Sequence, residues 1–182
     1  KTPMVELVLR TLQGSEEWYD KNLAVLSRGY KRDLYEGGIR VPMIVSWPGK
    51  VQPNTETDFM CSFWDMLPTF REIINPKAKA AKNEDGVSLL PLLTGKKGQK
   101  EHEYLYFEFQ EMNGRQAVRK GPWKLVHMNI RGAKPYYELY NLASDPSERH
   151  NVINQYPEVT AELKAIMVEA HVESPDFPLL EK

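Results

Sequence analysis

Lys31 lies in the run Gly29-Tyr30-Lys31-Arg32-Asp33-Leu34-Tyr35-Glu36-Gly37-Gly38-Ile39-Arg40-Val41-Pro42. An ammonium fixed on a loop offers a point charge and three donors, which suits the stabilisation of negative charge that builds on reacting oxygens. The plainer alternative is a solvated loop lysine, the usual state of that residue. A second polar group gathers around one predicted hairpin: Glu108, Gln110, Glu111, Arg115 and Gln116. Side chains of this kind can hydrogen-bond a hydroxyl-rich ligand such as a sugar, or simply form the polar edge of the hairpin. His102, His127, His150 and His171 fall in four separate elements without metal-ligand spacing, so surface or structural roles are expected. Cys61 is the single cysteine, which excludes an internal disulfide, and it reads as a small buried hydrophobe.

The elements that must carry these residues can be read in order. Gly37-Gly38 gives the chain freedom for positive φ or for a close backbone approach. The apolar run 41–47, closed by Pro48-Gly49, reads as a strand buried on both faces. Phe59, Phe63, Met66, Leu67, Phe70, Ile73 and Ile74 have helical spacing, and Pro68 places the helix start near Asp65 as N-cap. Residues 75–100 read as a connection, with lysine-rich solvated parts and a short helical turn between Ser88 and Gly95. From His102 the pattern changes. Four short strands are predicted, over 104–109, 116–119, 123–128 and 136–142, with turns at Asn113-Gly114, Lys120-Gly121-Pro122 and Gly132 to Pro135. Pro157 then opens a helix with Val159, Leu163, Ile166, Met167 and Ala170 on one face.

Composition sets limits on function. The 182 residues carry a net charge of −1, with 41% hydrophobic and 27% charged residues. Those values suit a soluble globular chain long enough to bury a core. No basic stripe argues for nucleic acid, and no apolar run reaches the length of a membrane helix. No signal-peptide pattern is read, and the opening Lys1 leaves upstream targeting undetermined.

The lysine run resembles the Lys-x-x-x-Tyr-Glu-Gly-Gly-x-Arg-x-Pro segment of the sulfatase family, sulfuric ester hydrolases of the alkaline-phosphatase superfamily. Three further stretches resemble that family in order: Asp65 to Thr69 as Asp-x-x-Pro-Thr, Asp85 to Gly95, and Asp145 to Val152 as Asp-Pro-x-Glu-x-x-Asn-x. The resemblance implies that Lys31 contacts the sulfate. It also implies that loops of a small C-terminal domain reach the rest of the substrate, with Glu108, Arg115 and Gln116 as the candidates. The implied fold is α/β plus α+β: the tail end of an alkaline-phosphatase-like catalytic domain, then a small antiparallel sheet with one packed helix. Residues 1–100 would belong to the catalytic domain and its connection, and 101–182 to the small subdomain.

The family also implies a formylglycine nucleophile in Cys-or-Ser-x-Pro-x-Arg and a calcium ion held partly by an Asp-Asn pair. Neither motif occurs in this chain, and Cys61 is followed by Ser-Phe-Trp-Asp instead. Similarity resumes only near Trp18-Tyr19-Asp20-Lys21-Asn22. The expectation is a region of a sulfatase that is inactive alone, needs the N-terminal part of the catalytic domain, and serves a sulfated small molecule or glycan. The parent is expected to be periplasmic or secreted. Two alternatives stand beside it: a non-catalytic carbohydrate-binding or scaffold module derived from a sulfatase, and a related phosphate or phosphonate ester hydrolase.

Overall fold

Alternating side chains between Leu105 and Asn141 build a sheet with two apolar faces. In the computed structural model, which describes residues 27–180, the helices are α1 (Glu36–Ile39), α2 (Met66–Ile74), α3 (Leu90–Leu93) and α4 (Pro157–Ala170). The strands β1 (Leu105–Phe109), β2 (Arg115–Lys120), β3 (Trp123–Met128) and β4 (Tyr136–Asn141) pair antiparallel in chain order. Two compact units result. One contains 42–102, and the other joins 27–41 to 103–180.

In the sheet unit, Val118, Leu125 and Leu139 stack across β2, β3 and β4 and meet Leu163 and Met167 of α4. Ala117, Val126, Met128 and Tyr140 point to the opposite face, where Leu34 and Tyr35 cover them. One face is therefore closed by the helix and the other by the segment that carries Lys31. Pro157 at the start of α4 lacks only an N–H that no helix would use. Beyond α4 the chain folds back, and Leu179 is buried beside Gly114. Arg131 holds that return by donating to the carbonyls of Pro178 and Leu179, at 2.5 and 3.1 Å.

The other unit is organised on Asp65. A turn of 3-10 helix, Phe63–Asp65, precedes α2, and Ser62 is its N-cap. Asp65 is the N-cap residue of α2, as its sequence position predicts, but its side chain makes no cap bond to that helix. It serves as the third residue of the 3-10 turn's capping box, where its Oδ2 accepts the Ser62 N–H at 2.7 Å. Its carboxylate also accepts the Val87 N–H at 2.9 Å and bonds His102 Nε2 at 2.8 Å. A side chain on Gly86 would place its Cβ 2.4 Å from the Trp64 carbonyl, which explains the glycine in that position. At α3, Gly95 has φ 67°, its N–H bonds Leu92 O, and the Lys96 N–H bonds Pro91 O, the pattern of a Schellman stop.

The run 41–47 does not form a strand. It has no ladder partner among the described residues, and Val41 and Ile44 are exposed. A β-strand needs a neighbour to satisfy its backbone, whatever its propensity. The resumption of similarity at Trp18 lies outside the described residues.

Candidate functional site

Lys31 is the second residue of a tight turn. The Asp33 N–H donates to Tyr30 O at 2.8 Å, and the Tyr30 N–H reaches Asp33 Oδ2 at 3.3 Å. Arg32, the third residue, has φ 78°, as a type II turn demands there. Lys31 is exposed and makes no hydrogen bond or ion pair with another described residue. Around it, the neighbours are fixed. A Cβ on Gly37 would stand 2.1 Å from Gly29 O, and one on Gly38 would stand 2.1 Å from Asp33 O. Neither glycine is needed for positive φ. Both are needed because the chain passes its own backbone without clearance.

Three contacts pin the turn to the sheet. Arg115 of β2, 5% exposed, donates to the Asp33 carboxylate and to Arg32 O (3.0 Å for the latter). Tyr35 donates its hydroxyl to Glu138, while Arg28 lies over the Tyr35 ring at 3.9 Å. Deepest is a charge cluster. Lys124 Nζ donates to Glu36 Oε1 at 2.9 Å and sits 2.8 Å from Glu148 Oε1, and the Glu36 N–H donates to Glu148 Oε2 at 2.6 Å. Arg119 Nη1 stands 3.9 Å from Glu36. Burial pushes the Glu148 carboxyl above its ordinary range, with Lys124 pulling the other way.

The candidate ligand contacts are divided between the sheet's two faces. Arg115 is on the lysine side, whereas Glu108 and Gln116 lie on the α4 side. There Gln116 Nε2 donates to the Tyr106 hydroxyl at 2.8 Å, and Tyr106 donates to Glu108 Oε2 at 2.5 Å. Glu108 also bonds His171 Nδ1 at 2.7 Å, and Glu173 bonds His171 Nε2 at 3.0 Å. Burial disfavours the charged His171 ring, but the two carboxylates on its nitrogens outweigh it and raise the pKa. His127, stacked on Tyr137 at 3.9 Å, goes the other way: burial, then Lys164, push it down to about 4. Glu111 remains near the lysine turn, 3.3 Å from Arg32.

No group of three or more His, Cys, Asp or Glu among the described residues could hold a metal. Asp33 and Glu36, the next carboxylates along the chain from Lys31, already serve Arg115 and Lys124. Glu36, Lys124 and Glu148 escaped notice in the sequence. The only signal was the place of Glu36 and Glu148 in recognisable segments, Tyr-Glu-Gly-Gly and Asp-Pro-Ser-Glu, and Lys124 lies in neither.

A family model, N-sulphoglucosamine sulphohydrolase C-terminal, matches residues 14–173. The chain belongs to the sulfatase family. It corresponds to the C-terminal sulfatase region, and the sheet with its packed helix is that region's fold. It is 31% identical over 154 residues to the N-acetylgalactosamine-6-O-sulfatase of Bacteroides thetaiotaomicron, covering 77% of this chain and 29% of that protein. A solved Bacteroides thetaiotaomicron sulfatase from a locus for metabolism of multiple glycosaminoglycans superposes with TM-score 0.63 at 31% identity. That match covers 79% of this chain and 32% of the other. A structure holding its substrate D-glucosamine-2-N,6-O-disulfate has TM-score 0.60 at 21% identity, over 71% of this chain and 27% of that one. At that identity the likeness shows the fold alone. This sulfatase region thus spans about a third of the length of these relatives.

Proposed function

We propose that this region completes a sulfatase acting on a sulfated carbohydrate, with Lys31 contacting the sulfate group. The observation that supports it most is the pinned turn: an exposed lysine, free of partners among the described residues, carried by neighbours that are clamped to the sheet core. A preorganised cation of that kind lowers the energy of charge spreading over sulfuryl oxygens without reorganising as the ester bond breaks. The 182-residue chain carries no formylglycine motif in its sequence, and its described residues hold no group of three or more His, Cys, Asp or Glu that could bind a metal. In this reading the nucleophile and the metal ligands come from the rest of the catalytic domain.

The sugar assignment follows the named relatives, an N-acetylgalactosamine-6-O-sulfatase and a glycosaminoglycan-locus sulfatase. The test is hydrolysis by the full-length enzyme of 4-nitrophenyl sulfate and a sulfated disaccharide, beside the matching phosphate esters. Sulfate release with phosphate esters left intact is expected. Preferred cleavage of the phosphate ester would overturn the assignment. The 182-residue chain alone should match a buffer blank, and metal-dependent turnover by it would contradict the division of labour.

A further inference from the structure

We infer that Lys124 and Glu148 are positioning residues for Lys31, acting through Glu36, an inference that rests on the reading of Lys31 as the sulfate contact. Lys31 makes no hydrogen bond or ion pair with another described residue, so its place is set by the segment from which it projects. Five residues later Glu36 is 2% exposed, and its side chain and backbone N–H both end on this cluster. Lys124 and Glu148 are each fully buried. They come from the second position of β3 and from the turn after β4, both fixed parts of the sheet unit.

Buried ion pairs are an inefficient source of stability, since apolar side chains of similar volume would often serve as well. Their geometry is what differs. An apolar contact tolerates sliding, whereas Glu36 is held by direction at two points, through its carboxylate by Lys124 and through its N–H by Glu148. A shift of the segment would break both contacts and leave charges buried without partners. A displacement of about 1 Å at a reacting group can cost on the order of a hundredfold in rate, so this register bears on chemistry. Arg119 brings a second positive charge to the cluster, which balances two carboxylates with two cations.

The decisive measurement is a double-mutant cycle on sulfate-ester hydrolysis in the full-length enzyme, with Lys31→Ala, Glu148→Gln and the pair. Glu148→Gln turns the charged acceptor of the Glu36 N–H into a weaker neutral one and removes the Glu148–Lys124 ion pair, so the hold on Glu36 loosens. Lys124 stays opposite Glu36, so folding should survive. Lys124→Met serves as the harsher variant. Glu148→Gln is expected to lower kcat by roughly tenfold or more with a smaller change in KM, and to have no further effect once Lys31 is alanine. An equal loss in both backgrounds, or no loss at all, would overturn the inference while leaving the Lys31 reading intact. Wild-type turnover by Lys31→Ala would remove both.

A second readout needs no turnover. In the 182-residue chain, amide exchange at Gly37, whose N–H donates to Arg28 O at 2.7 Å, should quicken about tenfold or more in Glu148→Gln, with β2 and β3 amides unchanged. Unchanged exchange at Gly37 would contradict the positioning role even if activity fell.

Discussion

Gly37 shows at the residue scale how a motif letter becomes a physical demand. Its Cβ-less carbon is passed by the Gly29 and Arg28 carbonyls, so Gly37→Ala must push the turn away from α1. A loss of ~1–3 kcal/mol is expected, read as a lower urea midpoint of the chain. An unchanged midpoint would mean that the segment shifts without cost. The placing of Lys31 on a loop was legible from its neighbours in sequence, because glycines announce a turn. The cluster of Glu36, Lys124 and Glu148 was not. A buried charge and a solvated one are the same letter, and the three residues lie 24 to 112 positions apart. Arg115 was legible as a polar candidate, yet its burial against Asp33 depends on the same invisible packing.

Among elements, the four strands and α4 followed their sequence patterns closely, because alternation and helical spacing are local properties. The run 41–47 shows the limit of that reasoning. Its composition is that of a strand, but pairing is a long-range event with no partner among the described residues. Asp65 gives a smaller example: it is the N-cap residue of α2 as its position predicts, but its carboxylate bonds back to Ser62 in the preceding 3-10 turn rather than to α2.

The end of α4 carries a pH-dependent contact. His171, the residue after the helix, is bonded through both ring nitrogens to Glu108 and Glu173, an arrangement that calls for two donors. Its pKa is raised in the folded protein, so its stabilisation is complete below the ordinary histidine value near 6.5 and is lost as pH rises through the folded value. Glu173 is lowered, chiefly by His171, so its share is lost as pH falls through its own folded value. The thermal midpoint should therefore fall as pH is raised from the ordinary histidine value through the folded one, and His171→Gln should remove most of that slope. The same slope in His171→Gln would assign it to another group.

At the scale of the whole molecule, the lysine segment and the sheet form one unit although about sixty residues separate 41 from 103. Nothing in the sequence marks that union, because it rests on the buried charges and on Leu34 and Tyr35 covering one sheet face. Residues 103–182 expressed without 27–41 would leave Lys124 and Glu148 without Glu36, and Arg115 without Asp33. Breaking a buried pair costs about 3–5 kcal/mol, so the shortened chain should unfold at clearly lower urea than residues 27–182. Equal midpoints would show that the segment adds nothing to the unit. Under the proposed function, the segment's task in the complete enzyme is to hold one cation at the sulfate. The most direct test is kcat for a sulfated disaccharide in Lys31→Ala, with the thermal midpoint measured alongside. A fall of roughly a hundredfold or more at an unchanged midpoint is the predicted result, and wild-type turnover would contradict the assignment of Lys31 to the site.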